Sequence, residues 1–216
     1  MLWRGWAATG PDGTWIGGRY VTDAAQVSGG DETTDRAVTR ARQAIADHAR
    51  LVPDFPEPGI DFKDLTPVLA DPVGLAAIVT ALTHGCSDVD LVAGIDARGF
   101  LLGGAVAREL GVGVLAVRKG GKLPPPVHSV TYTLEYGTAT LEIPANAVDV
   151  ATQRILLVDD VLATGGTAVA AAELLGRAGG VVVGVAVIME LDGLDGRGTI
   201  ARGLGAQLPV HAVTTG

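Results

Sequence analysis

Four short, largely apolar runs constrain this chain more than any other feature: VDLVAGI at 89–95, VGVLAV at 112–117, RILLVD at 154–159 and VVVGVAVIME at 181–190. A strand with one wet face alternates polar and apolar residues. These runs do not, so each reads as a strand buried on both faces. Helical stretches lie between them. Residues 99–110 and 166–178 read as helices, and Asp71 followed by Pro72 caps and opens another that runs to about His84. Strands and helices in alternation predict an α/β fold, an open parallel sheet with helices on both faces. The 216 residues suffice for one such domain with a full core.

Two regions depart from the alternation. Residues 1–34 hold three Trp, many Gly and the polar stretch VSGGDETTD without sustained periodicity, and read as a poorly ordered extension preceding a domain at 35–216. A helix is expected over 34–51, where Val38, Ala41, Ile45, Ala49 and Val52 recur at spacings of three and four, until Pro53, Pro56 and Pro58 end it. Between Val127 and Ile143, β-branched and aromatic residues flank Tyr136 and Gly137, which predicts a small antiparallel element outside the main alternation. The preceding RKGGKLPPP, rich in Gly, Pro and basic residues, reads as an exposed mobile loop.

Composition narrows the functions. A net charge of −8 argues against broad nucleic-acid binding, which draws its affinity from a basic face. Any anionic ligand must therefore meet a local cluster of cations, for which Lys63, Arg98, Arg118, Lys119 and Lys122 are the candidates. No apolar run approaches the roughly 20 residues that span a bilayer, and the amino-terminal stretch lacks the apolar block of a signal peptide, so a cytoplasmic protein without membrane attachment is expected. Cys86 is the single cysteine, which excludes an internal disulfide. His48, His84, His128 and His211 are scattered without metal-ligand spacing.

The most informative stretch is LLVDDVLATGGT at 156–167, where an apolar strand delivers Asp159 and Asp160 to a glycine turn that opens a helix. Ligands of open parallel sheets bind beyond the carboxyl ends of the strands. Here Ala163, Thr164, Gly165, Gly166 and Thr167 can present successive backbone N–H groups to a phosphate, with hydroxyls from the two threonines. The GxxxxGK[ST] pattern is missing, and GVGVLA at 111–116 precedes a strand instead of joining strand to helix, so neither a Walker loop nor a dinucleotide fingerprint is present. Two acids beside a phosphate loop suit a ligand that has both a phosphate and hydroxyls. The acids would accept hydrogen bonds from ribose hydroxyls, or meet them through Mg²⁺.

VDDVLATGGT closely resembles the phosphoribosyl pyrophosphate motif of type I phosphoribosyltransferases. DFPEPGIDFKDLTPVL at 54–69, GIDARGFLLG at 94–103, RKGGKLP at 118–124, YTLEYGTATLEI at 132–143 and MELDGLDGR at 189–197 are similar, in the same order, to the adenine-specific branch of that family. The resemblance implies transfer of the 5-phosphoribosyl group of phosphoribosyl pyrophosphate to adenine, with Mg²⁺ bound mainly through the donor, in a homodimer. Carried over by motif, Asp159 and Asp160 face the ribose, residues 163–167 hold the 5′-phosphate, and Arg98 grips pyrophosphate. Arg118, Lys119 and Lys122 close over the leaving group. Glu135 is the catalytic acid/base, with Tyr136 beside it at the substrate; backbone groups of Asp61 and Lys63 recognise the adenine edge, and Phe62 stacks on the ring. Asp61 stands where the family usually has an apolar residue, and Lys63 where arginine is common. Two other functions stay open on sequence: transfer to another purine base, and a regulator that binds phosphoribosyl pyrophosphate without catalysis. The amino-terminal extension is short and not basic, unlike a DNA-binding module, and weighs against the second.

Overall fold

The structure, a computed structural model, describes residues 30–55, 57–59, 61–133 and 137–216. Internal contacts divide the chain into 1–30 and 31–216, and the elements described below belong to the second unit apart from the first helical residue. In chain order they are α1 (Gly30–His48), β1 (Arg50–Val52), β2 (Phe62–Asp64), α2 (Thr66–Ala70), α3 (Pro72–Leu82), β3 (Leu91–Ile95), α4 (Arg98–Leu110) and β4 (Gly113–Lys119). There follow β5 (Val127–Thr133), β6 (Thr138–Pro144), β7 (Arg154–Leu162), α5 (Gly166–Arg177), β8 (Val181–Glu190), α6 (Gly196–Leu204) and β9 (Val210–Thr215).

Seven strands form one sheet in the order β5-β6-β4-β3-β7-β8-β9, parallel from β4 to β9. Its two faces carry separate cores, which explains why the strand runs are apolar throughout. Ala93, Ile95, Leu157 and Val187 meet Ala171, Leu174 and Leu175 of α5 on one face. Val92, Leu156, Val158 and Ile188 meet Ile45 of α1, Ile78 and Leu82 of α3, and Leu102 and Val106 of α4 on the other. The helix after β3 and the helix after β7 therefore lie on opposite faces, and a crevice opens between the carboxyl ends of these adjacent strands. The α/β reading holds, and Asp71 caps α3 as expected, accepting a 2.6 Å hydrogen bond from the Gly74 N–H. No helix of the described residues is long and apolar enough to cross a membrane.

Four expectations are corrected. The first helix ends at His48 instead of 51, and Arg50–Val52 pairs antiparallel with Phe62–Asp64 in a small two-stranded sheet. Val52 precedes Pro53, whose ring disfavours the helical conformation for the residue before it. The antiparallel hairpin over 127–143 is present as expected, but it is joined to the main sheet: β6 pairs with the end of β4 through Arg118 opposite Glu142 and Lys119 opposite Leu141. By the same pairing Arg118 and Lys119 are strand residues, and only Lys122 lies on the connecting loop. Finally, β7 runs on to Leu162, with Asp159 opposite Val187 and Leu162 opposite Glu190, so both acids sit inside the strand.

The crevice is narrow because α4 begins against β7 at a glycine. A Cβ on Gly99 would lie 2.7 Å from the Val158 carbonyl oxygen, and one on Gly94 would strike the carbonyl of Gly99 itself. Gly99→Ala should therefore force the start of α4 off the sheet and destabilise the protein by about 1–3 kcal/mol. Urea unfolding checks this: the midpoint falls with an unchanged slope, whereas an unchanged midpoint shows that the helix yields freely.

Candidate active site

The pleat of β7 sends the adjacent Asp159 and Asp160 to opposite sides of the strand, yet the pair stays coupled. The Asp160 N–H donates a 2.9 Å hydrogen bond to Asp159 Oδ1. Asp160 is only 7% exposed, and a buried carboxylate requires a counter-charge. Arg98, the first residue of α4, supplies it, with Nε 2.5 Å from Asp160 Oδ2. Among the described residues that oxygen accepts no aligned hydrogen bond, so the contact is an ion pair. The same guanidinium lies over the Phe62 ring, 5.6 Å from its centroid, and Phe62 meets Phe55 edge to face at 5.2 Å. Arg98 thus links the aromatic platform of β2 to the acids of β7.

Among the described residues Asp159 has no such partner of its own. Burial, and then the charge of Asp160, push its carboxyl well above the usual carboxylate range, while the Asp160 N–H and the more distant Arg98 act in the opposite direction. Next to it, Val161, Ala163, Thr164, Gly165 and Thr167 line a cavity of about 80 Å³ together with Asp159. The turn is held from behind. Gly165 has φ +82°, and a Cβ there would come within 2.5 Å of the Gly196 carbonyl at the start of α6. A Cβ on Gly196 would in turn strike Ala163. Backbone therefore packs directly on backbone, and α6 serves as the buttress of the loop. From the side, the Tyr132 hydroxyl of β5 lies 3.2 Å from Thr167 Oγ1.

The basic residues form a second group around Asp96, just past β3. Arg118 Nε is 3.7 Å from Asp96 Oδ2, its guanidinium covers the Phe100 ring at 5.7 Å, and the Lys119 N–H donates to Asp96 at 3.3 Å. Glu142 accepts a 3.0 Å hydrogen bond from the Gly121 N–H, which fixes the turn between β4 and Lys122. The side chains of Lys119 and Lys122 are exposed.

The sequence-predicted residues therefore separate into groups. Asp159, Ala163, Thr164, Gly165 and Thr167 share one cavity, and Gly166 begins the helix behind it. Asp160, Arg98 and Phe62 are linked beside it. Asp61 is exposed, and Lys63 lines a different cavity with Arg42, Met189 and Thr215. Glu135 and Tyr136 lie outside the described residues. Sequence reasoning missed Asp96, Val161, Gly196 and Tyr132 as parts of the site. Asp96 had a signal, standing two residues before Arg98 at the end of an apolar strand; Gly196 had one in the quoted MELDGLDGR.

The parallel sheet, the crevice between β3 and β7, and a glycine turn preceded by two acids define a phosphoribosyltransferase class of site. The family described as the phosphoribosyl transferase domain matches residues 74–201. Among curated relatives, the adenine phosphoribosyltransferase of Mycolicibacterium smegmatis is 63% identical over 159 residues, covering 74% of this chain and 88% of the relative. The crystal structure of adenine phosphoribosyltransferase from Rhodothermus marinus superimposes with a TM-score of 0.74 at 46% identity, covering 84% of this chain and 99% of that one. APRTase from Giardia lamblia, solved with 9-deazaadenine, gives 0.73 at 38% identity over 82% and 97% of the two chains. The chain belongs to the adenine phosphoribosyltransferase family.

The electrostatics of Asp159 generate a stability prediction. An acid whose folded-state pKa is raised binds its proton more tightly when folded. Its contribution is most favourable below the unfolded value of about 4 and is lost as pH rises through the raised folded value. At pH 7 the unfolded chain ionises this carboxyl freely and the fold does not, so the ligand-free protein is less stable there than near pH 4. Asp159→Asn should therefore raise Tm at pH 7 by roughly 2–4 °C, the effect of about 1 kcal/mol in a chain of this size, and the gain should vanish near pH 4. Thermal unfolding across that range measures it, and a gain independent of pH would show that charge is not its source.

Proposed function

We infer that this chain is an enzyme that transfers the 5-phosphoribosyl group of phosphoribosyl pyrophosphate to adenine, giving AMP and pyrophosphate, a purine salvage reaction. The observation that supports this reading best is the joining of a backbone-lined turn and two coupled carboxylates at the edge of one crevice. A ligand with a phosphate and neighbouring hydroxyls satisfies both. On this reading the domain over residues 35–216 holds the whole catalytic unit.

The roles follow from chemistry. Hydroxyl donors of the ribose meet Asp159 and Asp160, and the N–H groups of residues 163–167 meet the 5′-phosphate. Arg98, now shared between Asp160 and the Phe62 ring, is released toward the pyrophosphate when ribose hydroxyls satisfy the acid and the purine takes its place on Phe62. The exposed Lys119 and Lys122 reach the same anion, while Asp96 holds Arg118 and the strand end that presents them. Adenine stacks on Phe62 and is read by backbone groups of Asp61 and Lys63, with Tyr136 beside the substrate. Adenine N9 then attacks the anomeric carbon as its bond to the pyrophosphate oxygen breaks. Glu135 accepts the purine proton.

Mg²⁺ would fit this site: carboxylate oxygens are the hard ligands it takes, and a cation would favour the ionised form of Asp159, which burial and Asp160 disfavour. Bound mainly through the donor, with Asp159 and Asp160 nearby, Mg²⁺ would supply neutralisation of the departing charge. We also propose a homodimer, supported by the exposed apolar side chains Leu101 of α4 and Val114 of β4, and a cytoplasmic protein without membrane attachment, whose net charge of −8 argues against nucleic-acid binding.

Steady-state assays with adenine, hypoxanthine, guanine and xanthine test the base. Adenine should be used in strong preference, and turnover of hypoxanthine without turnover of adenine would overturn the reading. Glu135→Gln keeps the shape but removes the proton acceptor, so kcat should fall by roughly 10²- to 10⁴-fold while donor affinity stays within about twofold. Unchanged turnover would remove Glu135 from the chemistry and favour a different base.

A further inference from the structure

One contact at the turn stands outside the roles assigned so far. Tyr132 comes from β5, the strand that leads into residues 134–136, and its half-buried hydroxyl lies 3.2 Å from Thr167 Oγ1, the last hydroxyl of the turn. Either oxygen can donate in the ligand-free protein. A phosphate changes that symmetry. A threonine hydroxyl has one proton and two acceptor lone pairs, and a phosphate oxygen only accepts. When Thr167 donates to phosphate, its contact with Tyr132 survives only with the tyrosine as donor. The phenol O–H can fill that role, since its ring is anchored against the core formed with α5 and the sheet.

We propose that Tyr132 is a positioning residue for the 5′-phosphate: its O–H donates to Thr167 Oγ1 and leaves the Thr167 proton aimed at the ligand. This inference rests on the reading of residues 163–167 as the phosphate site. It adds that the hairpin strand preceding Glu135 and the phosphate loop are joined by one oriented hydrogen bond, so occupancy of the loop stiffens the strand.

The test measures binding of ribose 5-phosphate and, separately, of inorganic pyrophosphate by calorimetry, for the wild type, Tyr132→Phe, Thr167→Val, Thr167→Ser and the Tyr132→Phe/Thr167→Val double variant. Tyr132→Phe should weaken ribose 5-phosphate roughly 3- to 10-fold, the size of one net hydrogen bond, and leave pyrophosphate unchanged. In the Thr167→Val background the tyrosine substitution should have no further effect, while Thr167→Ser, which retains a hydroxyl, should bind like the wild type. If Thr167→Val binds ribose 5-phosphate normally, the phosphate reading of Thr167 itself fails. If Thr167→Val weakens binding but Tyr132→Phe does not, or if the two losses simply add, the loop reading stands and the positioning role is overturned. A loss in Tyr132→Phe shared equally by pyrophosphate is a packing defect and also overturns it.

Discussion

Arg98 and Asp160 meet at 2.5 Å where the start of α4 crosses the end of β7, and most of the site is arranged around that meeting. Two adjacent carboxylates inside a strand repel each other, and burial worsens the repulsion. One guanidinium resolves half of the problem. It can reach Asp160 only because Gly99, the next residue, lets α4 approach the Val158 carbonyl more closely than any side chain allows. The other half stays unresolved, and Asp159 holds its proton more tightly than an ordinary carboxylate. Destabilisation of the free protein at this point is the counterpart of affinity for a ligand that brings hydroxyl donors or a cation.

The glycine turn is organised by different physics. Among the described residues no basic side chain lines its cavity; their lining is apolar, hydroxyl and backbone apart from Asp159. Anion binding there depends on fixed N–H dipoles, which act only if the backbone is rigid. Rigidity comes from the apposition of residues 163–165 with Gly196 and from Tyr132 at the first turn of α5. Residues from β5 and α6, remote from the motif in sequence, thus control the geometry of a five-residue loop.

How much of this was legible in the sequence follows from how local each feature is. The strands of the parallel sheet were legible because burial on two faces leaves continuous apolar runs, and the acids with their turn were legible because strand, turn and helix are contiguous. The edges were not. β9, VHAVTT, mixes polar and apolar residues because an edge strand pairs on one side only, here with β8. The hairpin was legible as a hairpin, but its attachment to β4 depends on two residues of strand beyond the apolar run, Arg118 and Lys119, whose charge suggested a loop. Pairings between distant segments left no periodic trace at all: Arg98 with Asp160, Asp96 with Lys119, and Tyr132 with Thr167. Asp61 is a milder case. As a departure from the family pattern it put base recognition in question, yet its exposure leaves the neighbouring Phe62 platform packed against Phe55 and Arg98.

The distribution of positive charge then acquires a reason on the proposed reading. A donor with a phosphate at one end and a pyrophosphate at the other is the same kind of anion twice, but only one end leaves. The 5′-phosphate stays on the product and is met by backbone dipoles that are fixed before it arrives and cost no side-chain entropy. The pyrophosphate must be stabilised as its charge grows and then let go. For that end the chain offers exposed lysines, Lys119 and Lys122, on a strand end and turn pinned by Asp96 and Glu142, with no ion pair to either ammonium group among the described residues. Lysine ammonium groups are flexible, well-hydrated point charges that can follow an anion into solvent, whereas a buried guanidinium fork would hold it. Arg98 stands between the two regimes, because Asp160 is ready to reclaim it each time the anion departs.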